Sequence, residues 1–320
     1  MSASYWQSTQ CRFWTFTKEQ LATMRQKLEE DNAELVRMFP LPQQRHLYIC
    51  FNQQLIRLAK RLTIRQQSMA TAQVYMKRFY SKVEIRRTNP YLVVATAIYL
   101  ACKIEESPQH IRVIVTEARQ MWGDVAIDTS KLGECEFFMI SEMRSQLIVY
   151  QPYRTVVALR SELGLQEDEV QLARSVINDH FMTDLPLLYP PHVIAMVAML
   201  LALVLRPNNS GPGQNASGAA AAAGLAAAQQ ALMRAQGQQT PGGGGTTEAA
   251  TAEPKERQQQ ARVSRVQKFA KWLVDSNVDI ASMVDATQEI ISFYECYEHY
   301  NDKLTREQIN RFVKARGLDK

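Results

Sequence analysis

Apolar residues recur along this chain every three or four positions, which is the period of helices packed on one face. The richest stretch is 89–106, NPYLVVATAIYLACKIEE. Pro90 stands where a helix takes its first residue, a place where the amide it lacks is unpaired in any case. The span 91–104 is apolar or small on all sides. Such a helix is buried in a core or in a membrane, and this one falls short of the roughly 20 apolar residues a bilayer needs. The pattern therefore predicts a central helix with others packed around it. Its one charge before the end is Lys103, followed by Glu105 and Glu106. A lysine at the end of a buried helix must reach water or a partner.

Other helices follow from the same period. Thr17 and Gln20 form a capping box ahead of Leu21, Met24 and Leu28, and Pro40 and Pro42 break the run. Helices are predicted over 43–60, with Leu47, Phe51, Leu55 and Leu58 inward, and over 65–80. Beyond the central helix come 111–122, closed by Gly123, and 129–147. After Pro152 the plan repeats, with helices over 154–163 (ended by Gly164), 167–181 and 191–205. RFY, a polar loop and NPYLVVATAIYLA in the first half match DHF, a polar loop and YPPHVIAMVAMLLA in the second. Pro90 and Pro191 hold corresponding places.

The fold class expected is all-α, with two tandem five-helix repeats. The arrangement predicted is an N-terminal aromatic arm and helix over 1–42, a first repeat over 43–150, a second over 151–206 and 262–300, and a tail helix within 301–320. The second repeat is interrupted at 207–261, which is Gly, Ala, Gln, Pro and Thr. It has too few large apolar groups to offset the entropy of ordering, so it is expected to be a disordered insertion. Helical periodicity resumes at Val263, with further helices over 263–274, 280–297 and 305–315.

Composition narrows the function. A chain of 320 residues suffices for two domains, and its net charge of +5 says little about nucleic acid. Five scattered cysteines without a CxxC fit a reducing compartment, not a zinc ribbon or a disulfide scaffold. No signal peptide or membrane span is expected. No glycine-rich loop precedes a helix and no serine or cysteine stands in a nucleophile motif, so no catalytic residue, cofactor or metal is expected. Glu295 and His299 share a helix face, but no other residue completes a metal set.

Three features carry more. Glu136 lies within the apolar stripe Leu132, Cys135, Met139, Met143 and Leu147. It pairs internally, with Lys103 as the natural mate, or it serves a partner. Nine basic residues between Arg57 and Arg87 face one acid, Glu84. They make a solvated face or a contact for an acidic or phosphorylated protein segment. The aromatics Tyr5, Trp6, Phe13, Trp14 and Phe16 fold back on the domain or form a partner-binding arm.

Together these residues resemble the cyclin family. YLACKIEE resembles the end of the family's central third helix and ECEFF the middle of its fifth. YWQSTQ, LIVYQPYR and INDHFMTDLPLLYPP resemble the C-type group, the cyclins of the RNA polymerase II Mediator kinase module. The resemblance implies a nuclear regulatory subunit, not an enzyme, that activates a cyclin-dependent protein kinase of that module and meets its other large subunits. Such kinases phosphorylate the polymerase tail and transcription factors, acting as activators or repressors of transcription. The resemblance further implies that Lys103 and Glu136 bond the kinase beside its mobile helix, with Glu106, Phe137 and Trp6 as neighbouring contacts. Gln54 stands where cell-cycle cyclins carry a tryptophan, and Lys77 where they carry an aspartate, so their substrate-docking patch is not expected. A rival assignment is a general transcription factor of the TFIIB type, which shares cyclin-like repeats but opens on a zinc ribbon absent here. No direct nucleic-acid contact is expected.

Overall fold

The computed structural model describes residues 4–123, 125–205 and 254–318, with side chains throughout except over 254–262. Among the described residues the chain is helical, without strands. A 3-10 turn at Tyr5–Gln7 leads to α1 (Thr9–Phe13), α2 (Lys18–Asp31) and α3 (Ala33–Met38). Then come α4 (Gln44–Arg61), α5 (Gln66–Tyr80), α6 (Pro90–Ile104), α7 (Ile111–Met121) and α8 (Thr129–Glu142). The chain continues through α9 (Tyr153–Leu163), α10 (Glu167–His180), α11 (Leu185–Leu188) and α12 (Pro191–Leu205). It ends with α13 (Pro254–Asp275), α14 (Ile280–Glu298) and α15 (Asp302–Ala315).

The helices form two compact units. The first comprises Met1–Gln151, Asp179–Pro191 and Gln288–Lys320, the second Pro152–Asn178 and His192–Thr287. In the first unit α6 is the axis, packed against α4, α5 and α8. Asn89 caps it by accepting from the Tyr91 amide at 3.0 Å, and Pro90 fills its first turn. Val93, Val94, Ala97, Ile98 and Ala101 are sealed, and Ile309, Phe312 and Val313 of α15 join the same core. The capping box of Thr17 and Gln20 forms as predicted. In the second unit, Val193 to Leu203 of α12 are buried at every position. Gly164 ends α9 in left-handed backbone at φ 68°, where a side chain would be strained.

Some expectations shift. The helix predicted over 129–147 stops at Glu142, because Arg144 and Ser145 turn left-handed (φ 51° and 56°) and the Ser145 amide closes the end on Ile140 O. Gly123 is not what ends α7, since Trp122 caps it at φ −124°. Helix α13 begins at Pro254, not Val263, so the expected disordered insertion loses its final stretch, whose Gln, Ala, Lys, Glu and Arg are strong helix formers. The rest of that insertion, 207–253, lies outside the described residues.

The basic run is not one solvated face. Lys77 and Arg78 are fully buried and Arg86 nearly so. Arg78 donates to Gln146 O at 2.7 Å, tying α5 to the segment after α8. Arg86 is paired with Glu84 and donates to Phe39 O at 2.6 Å. Lys77 lies over the Tyr48 ring at 3.9 Å, and its Nζ has no hydrogen-bond partner among the described residues. Helix α5 is buried from Ala70 to Tyr80, and Gln73 donates to Asn52 Oδ1 at 3.0 Å inside it.

Candidate functional site: an ion pair at the end of the central helix

Lys103 sits in the last turn of α6, where its stem leaves the core and its ammonium is carried past the helix end. A cation there also complements the negative end of the helix dipole. Its Nζ meets Glu136 Oε1 of α8 at 2.7 Å. The two sides differ in exposure, the lysine side chain being 44% accessible and the glutamate 11%. The acid is therefore held by the core stripe while the cation faces outward. Tyr99, one turn earlier on α6, places its ring 4.6 Å from the ammonium, the spacing of a cation–π contact. Burial alone would lower the Lys103 pKa, but the hydrogen bond and charge of Glu136, reinforced by Tyr99, raise it above its usual value. The lysine thus stays charged at neutral pH, with ammonium protons left for a second acceptor.

The end of α6 is locked by its own backbone. The Glu105 amide closes on Ala101 O and the Ser107 amide on Cys102 O, both at 2.9 Å. This is the Schellman arrangement, and it puts Glu106 at φ 52°, a conformation that favours glycine. Glu105 turns inward, accepting from Thr71 of α5 at 2.5 Å and from Gln67. Glu106 is left exposed.

Large apolar groups flank the pair in sequence without being covered. Phe137, next to Glu136, is 75% accessible. Ile104, next to Lys103, is also exposed. Phe138 is half-turned inward, edge-on to Phe79 with ring centroids 5.3 Å apart. An exposed phenylalanine forgoes on the order of 2 kcal/mol of burial, so such a residue on a well-packed helix marks a surface that meets something else.

The structure thus brings Lys103 and Glu136 together and leaves Glu106 and Phe137 open to solvent. Trp6, the remaining predicted site residue, is exposed on the N-terminal 3-10 turn, edge-on to Tyr5, which itself lies against Tyr150. The aromatic arm divides: Trp14 is buried beside Arg78, whereas Trp6 and Phe13 point out. Sequence reasoning missed Tyr99 and Glu105, although the i, i+4 spacing of Tyr99 and Lys103 carried the first signal. No group of three potential metal ligands occurs among the described residues. His299 Nδ1 lies 2.9 Å from the Glu295 backbone carbonyl. No described helix is long and apolar enough to cross a membrane.

Comparison with known proteins gives this geometry a family. Residues 16–148 match the Cyclin, N-terminal domain family. An RNA polymerase II holoenzyme cyclin-like subunit of Gibberella moniliformis is 90% identical, covering 100% of both chains. One of Neurospora crassa is 56% identical, again over 100% of both. In fold, the chain is similar to one in the CAK complex from Chaetomium thermophilum bound to ATP-gamma-S, with TM-score 0.62 and 19% identity over 99% of this chain and 88% of that one. A chain of the yeast TFIIK complex matches with TM-score 0.53 and 20% identity, over 62% of this chain and 85% of that one. The apolar central helix, its terminal lysine and the glutamate beside it are thus parts of a cyclin fold, and the chain belongs to the cyclin family, among the RNA polymerase II holoenzyme cyclin-like subunits.

Proposed function

We propose that this chain is a C-type cyclin, the activating subunit of the cyclin-dependent kinase in the Mediator kinase module. It acts in the nucleus alongside the module's larger subunits, and the kinase it switches on phosphorylates the polymerase tail and transcription factors. Its two boxes span 43–150 and 151–206 with 262–300. The observation that carries the reading is the half-exposed Lys103–Glu136 pair at the end of α6, with Phe137 uncovered beside it.

In this reading the pair is a docking head. Lys103 retains protons to donate and Glu136 retains lone pairs to accept, so together they meet one acceptor and one donor of the kinase main chain. Phe137 adds apolar area, Glu106 a rim charge, and Trp6 a contact from the arm. The cyclin binds the kinase better with its mobile helix inward than outward, and that difference in affinity is the whole source of activation. With the helix inward, the kinase glutamate reaches the lysine that grips ATP phosphates.

Reconstitution tests this. The purified chain, added to its cognate kinase subunit, is expected to raise phosphorylation of a polymerase-tail peptide by orders of magnitude. No stimulation, together with no co-purification of a kinase from nuclear extract, would overturn the reading.

A further inference from the structure

Within the first unit, α15, α4, the start of α6 and the end of α7 border a half-open cavity of about 330 Å³. That is near the lower end of ligand pockets. One wall is aromatic: Tyr91 and Trp122 lie tilted against each other, ring centroids 5.1 Å apart. Trp122 Nε1 donates to Gln54 Oε1 at 3.0 Å. An indole only donates, so this bond fixes the amide and commits its oxygen. Gln54 Nε2 is left buried without a hydrogen-bond partner among the described residues, in a side chain that lines the cavity.

Cations are the charged part of the remaining lining, which also holds Met121, Gly123, Val125, Asn310 and Val313. Arg57, Arg306 and Lys314 contribute, and no carboxylate lines the cavity among the described residues. Arg57 and Arg306 share one acid, Asp302, at 3.3 and 3.0 Å. Two guanidinium groups thus meet a single carboxylate, and both side chains are more than 40% accessible. Planar guanidinium forks match phosphate oxygens, and a dianion balances surplus positive charge better than a carboxylate does.

We propose that this cavity docks a phosphorylated peptide segment, its phosphate held by Arg57, Arg306 and Lys314 and a neighbouring apolar or aromatic side chain laid on Tyr91 and Trp122. The proposal rests on the kinase-subunit reading above. A subunit that holds one product phosphate keeps the same substrate chain close to the kinase, which raises the effective concentration of its next site. The tail helix is then part of the docking site as well as of the core, since Arg306 and Lys314 both lie on it.

Fluorescence anisotropy with the full chain tests this directly. The probe is a short labelled peptide carrying one phosphoserine beside a tyrosine; its unphosphorylated twin and a single-stranded oligonucleotide are the comparators. The phosphopeptide is expected to bind at least about tenfold tighter than its twin, and Arg57→Glu with Lys314→Glu to weaken it about tenfold or more. Lys314→Arg retains binding. Arg57→Gln alone, with an unchanged thermal melt, weakens binding without reversing charge. Equal binding of the twin, unchanged binding by the charge-reversed chain, or displacement of the phosphopeptide by the oligonucleotide would each overturn the proposal. Kinase stimulation on a single-site substrate is read in parallel and stays intact in these variants, so a failure here is distinguishable from a failure of the kinase-subunit reading.

Discussion

The Lys103–Glu136 pair of the first unit and the Arg265–Glu169 pair of the second use similar chemistry in opposite settings. Glu169 is 0% accessible and accepts from Arg265 Nε at 3.0 Å, while its other oxygen takes the Gln166 amide at 2.8 Å. The arginine of that pair is only 18% accessible. Lys103 is 44% accessible and pairs with a glutamate whose neighbour in sequence, Phe137, is uncovered. The apolar helices of the two units differ in the same way. Each begins at a proline, but α6 carries Lys103 in its last turn, whereas Pro191–Leu205 of α12 holds no lysine, arginine, aspartate or glutamate. Charge near a core stripe is thus not in itself a sign of a site. What separates the pairs is whether the cation keeps bonds to offer outward.

That contrast can be broken experimentally. The largest effect is expected for Glu169→Ala, which leaves a mostly buried guanidinium unpaired and should cost about 3–5 kcal/mol in urea unfolding. A loss below about 1 kcal/mol would show that the inner pair is no more structural than a surface one.

Lys77 sharpens the comparison, because it is a buried cation with no direct acid partner among the described residues. Complete burial pushes its ammonium down to about 7, against the opposing pull of Asp184. The unfolded chain keeps the usual value near 10.5. Between those values the unfolded state binds more protons, so stability rises with pH across that window. Lys77→Met is expected to add about 2 kcal/mol at pH 7 and to flatten that rise. Urea midpoints measured at pH 7 and pH 9 check both.

Phe137→Ala should leave the melting temperature unchanged, because the ring is uncovered, yet weaken kinase binding by about 1.5 kcal/mol, roughly tenfold. Calorimetric titration reads it. The smallest effect is expected for Glu106→Gly. Relief of the left-handed backbone should stabilise the chain by about 1 kcal/mol, and loss of the rim charge should weaken kinase binding by about threefold.

Much of the first unit was legible in its sequence, because α6 is apolar on every side and its boundaries carry Asn89, Pro90 and the charged end. The Lys103–Glu136 contact followed from a carboxylate standing inside an apolar stripe. Helix α5 was misread for a definite reason. Its Lys77 and Arg78 look like part of a solvent face, since periodicity sees polarity but not the Gln146 carbonyl and the Tyr48 ring that satisfy or cover them. The early end of α8 was hidden as well, because left-handed backbone at Arg144 and Ser145 leaves no mark when neither residue is glycine. The cavity beside Gln54 needed coordinates, since α15 lies far along the chain from α4, α6 and α7.

The central claim is that the outward pair holds a kinase. The direct measurement is the affinity of Glu136→Lys for the cognate kinase subunit, by calorimetry on purified proteins, beside its urea midpoint. The account predicts binding weakened by roughly a hundredfold or more, about 3 kcal/mol, in a chain that stays folded although a lysine in this mostly buried place beside Lys103 costs about 1–3 kcal/mol of stability. Wild-type affinity in a folded Glu136→Lys chain would contradict it.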